Sequence, residues 1–89
     1  MKLLIIGHSV EDHISTDKDE IIKAGGIYYT ASALTSIAPN DEIYLCTFAE
    51  IGNQALFSDV YSKCQSDFIS YTSAIPKVLL TIYGAKEIE

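Results

Sequence analysis

An α/β fold built on a mainly parallel sheet is what this sequence predicts, and three observations predict it. The continuous apolar run at residues 3–6 is cut off by Gly7, the pattern of a buried strand. Ile27, Ala31, Leu34 and Ala38 recur at helical spacing and stop just before Pro39. Residues 42–48 (EIYLCTF) then supply a second strand, rich in β-branched and aromatic side chains. Alternation of strand, helix and strand implies a right-handed parallel crossover with helices packed on the sheet.

Taken in order, residues 3–6 predict a strand buried on both faces. Residues 11–20 (EDHISTDKDE) are polar and acidic and predict a loop or short exposed strands. Gly25-Gly26 opens the first helix, and Pro39-Asn40-Asp41 closes it with turn chemistry. After the strand at 42–48, a Gly52-Asn53 break precedes a helix over residues 53–64, with Leu56, Val60 and Cys64 on one face. Residues 67–72 and 77–83 predict two further strands. The predicted order is β-α-β-α-β-β in a single domain spanning residues 1–89. An apolar last strand followed by residues 84–89 without a closing helix leads one to expect a further layer, from a longer polypeptide or from a partner.

Charge narrows the partners. The net charge is -6, and the six cations, Lys2, Lys18, Lys23, Lys63, Lys77 and Lys86, are scattered with no arginine among them. Nucleic-acid binding needs clustered cations, and bidentate phosphate clamps normally use arginine, so neither a nucleic acid nor an unaided triphosphate site is expected. Cys46 and Cys64 form no metal-type pattern and predict buried free thiols. The apolar start is too short for a secretory signal, and no stretch approaches the roughly 20 apolar residues of a membrane helix. A cytoplasmic protein is the expectation.

Two features suggest a binding site. Asp12 lies beyond the carboxyl end of the first strand, where ligands of open α/β sheets bind, and a carboxylate there suits two neighbouring hydroxyls of a polyol; by position alone it reads more readily as a solvated loop acid. Gly25-Gly26 at the start of a helix lets a ligand approach the main chain, and reads equally as a flexible turn. His8 and His13 lack further ligands for zinc, and Ser9, Asp12 and His13 are too close in sequence to make a triad. Asp17, Asp19 and Glu20 lack calcium-loop spacing. Tyr28-Tyr29 reads as core, dimer surface or ligand wall.

The run from Gly7 to Ile14 after an apolar strand, the Gly25-Gly26 pair leading into an alanine- and leucine-bearing helix, and residues 45–52 (LCTFAEIG) together resemble the N-terminal part of ribokinase-like (PfkB-type) carbohydrate kinases. The resemblance runs along nearly the whole chain and implies part of a three-layer, Rossmann-like ribokinase fold. It implies that Asp12 holds sugar hydroxyls and that Gly25 and Gly26 form the hinge and floor of the substrate site. Thr30 stands where the family places a substrate-contacting asparagine, Tyr28 replaces a small residue, and Glu50 replaces the more usual aspartate. With little chain between Asp12 and Gly25 for a large lid, residues 67–83 are expected to supply the lid-like strands.

A complete family member uses ATP and magnesium, with a downstream Gly-Ala-Gly-Asp-like segment whose aspartate acts as base. Within these 89 residues Gly84-Ala85 is followed by Lys86, and there is no P-loop. The chain is therefore expected to grip a sugar, polyol or nucleoside without phosphorylating it. The alternatives are a non-enzymatic α/β module that binds a small ligand or a partner chain, a second copy of itself included, and an inert remnant of a truncated gene.

Overall fold

The computed structural model describes residues 1–82. Its elements are β1 (Lys2–Ile6), β2 (Ser9–Ser15), β3 (Glu20–Gly26), α1 (Ile27–Ile37), β4 (Glu42–Glu50), a 3-10 segment (Ile51–Leu56), α2 (Ser58–Tyr61), β5 (Ile69–Thr72) and β6 (Lys77–Thr81). Tyr83 and the Gly84-Ala85-Lys86 segment lie outside the described residues.

The strands form two three-stranded sheets, one ordered β1-β4-β5 and the other β3-β2-β6. The first is wholly parallel, with Leu3 opposite Ile43 and Thr47 opposite Ile69. The second is mixed, with β2 antiparallel to β3 and parallel to β6. The expected α/β class with a parallel sheet is present, but β6 joins the second sheet and not the parallel one.

The polar stretch expected as a loop or short exposed strands is a regular β-hairpin. Its turn is made by Thr16, whose Oγ1 accepts from the N–H groups of Lys18 and Asp19 while its own N–H donates to the Asp19 carbonyl. A short hydroxyl side chain satisfying nearby backbone in this way replaces the glycine that usually marks a hairpin. The polar residues before the turn alternate between the two faces of a half-buried strand.

The parallel sheet is covered on one face only. Leu3, Ile5, Ile43, Leu45 and Ile69 pack with Ala31 of α1 and Val60 of α2 in one core, so both helices lie on the same side. On the other face Leu4 is 55% exposed, Ile6 72% and Phe48 58%. This corrects the expectation of a first strand buried on both faces: an apolar run specifies a strand, but burial of its second face needs a layer that the described residues do not contain.

The helix over 53–64 also differs. Asn53 has φ -138° and ψ 37°, which breaks the helix, and only Ser58–Tyr61 is α-helical. The Asn53 side chain is held elsewhere by Glu11 (described below), and this competes with helical backbone. Cys46 and Cys64 are free, as expected, but only half-buried. No helix of the described residues is long and apolar enough to cross a membrane.

Candidate functional site

The hairpin register sets Val10 opposite Gly25 and Asp12 opposite Lys23, so Asp12 and Gly25 lie side by side on one face of the second sheet. They touch: a Cβ at Gly25 would collide with both carboxylate oxygens of Asp12. Gly25 is therefore glycine because the Asp12 side chain occupies the space of its missing one. Gly26 has φ +68°, and a Cβ there would strike the His8 carbonyl. That carbonyl accepts the Ile27 N–H at 2.9 Å, the bond that turns the chain from β3 into α1. A left-handed φ against backbone leaves room only for glycine.

Gly26 is the N-cap of α1, where no side chain supplies a capping bond and the first turn holds no acid. Backbone N–H groups at such a start lack intrahelical partners and carry positive partial charge. One turn later comes Thr30, exposed at the same end of the helix. The structure thus brings Asp12, Gly25 and the beginning of α1 together, with Gly26 acting through the backbone, while Thr30 is exposed on α1 and makes no hydrogen bond to Asp12.

The two adjacent tyrosines divide. Tyr28 packs against Phe57 and Tyr61, with ring centroids 5.9 and 6.2 Å away, and its hydroxyl donates to Asp59 at 2.8 Å. It belongs to the aromatic core and does not narrow the site. Tyr29 is the one that enters it, donating from its hydroxyl to Asp12 Oδ2 at 3.2 Å. Loss of surrounding water and the Asp12 carboxylate beside it push the Tyr29 hydroxyl above its ordinary value, so it stays a donor at neutral pH. The sequence leaves Tyr28 and Tyr29 undivided because adjacent helical residues point about 100° apart and nothing local says which one meets the hairpin.

Glu11, next to Asp12, faces the opposite side and is only 3% exposed. Asn53 Nδ2 donates to its Oε2 and His13 Nε2 to its Oε1, both at 3.0 Å. The Asn53 bond, opposed by burial and helped by His13 and the nearby Lys77 charge, holds the Glu11 carboxyl below the usual glutamate range. Glu50, placed in the family-like loop by sequence, belongs to this second group and not to the Asp12 face: its Oε1 accepts the Ile75 N–H at 3.2 Å and lies 3.7 Å from Lys77 Nζ.

Two clefts lie elsewhere, and neither is lined by Asp12, Gly25 or Tyr29. One, of about 310 Å³, lies between the Glu50–Asn53 corner and α2, with Tyr61 and Tyr71 among its walls. The other, of about 290 Å³, opens on the uncovered sheet face beside Ile6, Cys46, Phe48 and Phe68. Among the described residues no group of three or more His, Cys, Asp or Glu side chains gathers as a metal site. No family model matches the chain, and no curated protein matches it.

Proposed function

We propose that this chain is the substrate-gripping part of a ribokinase-like carbohydrate kinase, whose complete form transfers phosphate to a hydroxyl of a sugar, polyol or nucleoside. The observation that carries the reading is the contact of Asp12 with Gly25 at the start of α1. A carboxylate accepts hydrogen bonds from two neighbouring hydroxyls, and the missing side chain of Gly25 gives the Asp12 carboxylate its room against the main chain. Thr30 adds one hydroxyl at the rim. In this reading the hairpin and β6 form the lid-like sheet, and the parallel sheet is the first part of the family's larger one.

ATP and magnesium enter only through the complete catalyst, because this chain's residues do not fit a triphosphate. The sequence has no arginine, and the site presents a carboxylate where phosphate needs cations. The chain's own part is to bind and orient a neutral ligand. Titration with D-ribose and adenosine, followed by amide chemical shifts, tests this: shifts should concentrate at Asp12, Gly25, Gly26 and Thr30 and vanish in Asp12→Asn.

A second reading, a non-enzymatic module that pairs with another chain, is favoured by the uncovered face bearing Leu4, Ile6 and Phe48. Sedimentation at several concentrations separates the two, since only the second requires association without any sugar.

A further inference from the structure

Glu11 is buried at a junction between the two sheets. Besides its bonds to Asn53 and His13, its own N–H donates to the Pro76 carbonyl at 3.0 Å. On the other side of the junction Glu50 receives the Ile75 N–H, and the Ile75 side chain is itself buried in the core. Strand β2, the end of β4, the 3-10 segment and the chain leading into β6 therefore converge on two carboxylates. The charged or titratable groups facing Glu11 are His13, Lys77 and Glu50, with Glu20 behind His13 at 4.0 Å.

An apolar residue at this junction would tolerate sliding of one sheet on the other. A buried carboxylate does not, because losing either donor leaves one of its oxygens unpaired where water cannot easily replace the bond. Successive strand residues are rigidly related and point to opposite faces, so a bond that fixes Glu11 also fixes Asp12.

We propose that Glu11 and Asn53 are positioning residues for the Asp12 site, a latch on the far face of the hairpin that sets where the Asp12 carboxylate stands. The proposal rests on the reading of Asp12 as the group that grips a neutral polyol. It makes ligand affinity at one face depend on an amide–carboxylate bond at the other.

The test is amide hydrogen exchange in the 89-residue chain, paired with D-ribose titration. Asn53→Ala should speed exchange across the β2–β3 ladder about tenfold, the factor equivalent to roughly 1.4 kcal/mol, leave the β1–β4 ladder unchanged, and weaken ribose binding. Glu11→Gln, the milder change, should do the same to a smaller degree. The swap E11Q/N53D restores an amide–carboxylate pair with the donor reversed, and should return exchange and affinity to near wild type. Equal acceleration in both sheets, no acceleration in either single variant, or a swap no better than Asn53→Ala would overturn the latch. Ribose binding lost only in Asp12→Asn, with those exchange results, would leave the Asp12 reading standing alone. Failure of wild type to bind ribose, with hairpin-specific exchange and rescue intact, would overturn the Asp12 reading and with it the positioning role.

Discussion

Replacing Gly26 by alanine should be among the most damaging single-methyl changes in this chain. The residue has φ +68° and ψ -134°, a backbone region that costs a side-chain-bearing residue about 1–3 kcal/mol. The new Cβ would also strike the His8 carbonyl, the acceptor of the 2.9 Å Ile27 bond, and losing that bond adds roughly 0.5–1.5 kcal/mol. The combined penalty is about 2–4 kcal/mol, against the ~4–13 kcal/mol total that marginal stability allows a chain of this length. At about 4–8 °C per kcal/mol for so small a domain, Gly26→Ala should lower Tm by about 8–30 °C in thermal unfolding followed by circular dichroism. Gly52→Ala is the control, because a Cβ there meets nothing within 4 Å and its φ is not left-handed. It should change stability by less than about 0.5–1 kcal/mol, in the stabilising direction if the backbone accepts it. Equal Tm values for the two variants would refute the argument that Gly26 is required by geometry.

Other consequences follow from the same packing. Leu45→Ala, at a fully buried position of the central parallel strand, should cost about 3–4 kcal/mol in denaturant unfolding, whereas Phe48→Ala on the uncovered face of that strand should cost far less. Because Glu11 is held below the ordinary glutamate value, its contribution to stability is full above about pH 4.3 and is lost as the pH falls through the lower folded-state value. Glu11→Gln should therefore be less stable than wild type at neutral pH and lose less on acidification, as urea midpoints across pH 2–7 would show. Tyr29→Phe removes the donor that occupies Asp12 Oδ2, so D-ribose should bind roughly threefold to tenfold tighter by calorimetric titration, the worth of one neutral hydrogen bond. Weaker binding would instead make the Tyr29 hydroxyl a ligand contact.

The legible parts of the fold are those specified by short-range pattern. Gly7 ends the apolar run one residue past β1, and Ala38, caught before Pro39, leaves the helix at φ -133°. The hairpin was hidden because its strands are polar and its turn is made by the Thr16 hydroxyl and not by a glycine. The second helix was overextended because apolar spacing at Leu56, Val60 and Cys64 says nothing about Asn53, whose side chain is drawn across to Glu11. In the site, Asp12, Gly25 and Gly26 stood out by type and order. Which of Tyr28 and Tyr29 enters the site is not legible, since it depends on helix rotation, and Glu11 is not, since its role depends on a sheet junction between residues 42 positions apart.

The central claim is that the Asp12–Gly25 corner holds a neutral polyol, and calorimetric titration of D-ribose into wild type and Asp12→Asn tests it most directly. The side-chain change keeps the shape over Gly25 and the hairpin register while replacing a charged acceptor by a neutral amide. Saturable binding to wild type, weakened about tenfold or more in Asp12→Asn at unchanged Tm, is the predicted result. Equal affinities in the two proteins, or no binding to either while both remain folded, would contradict it.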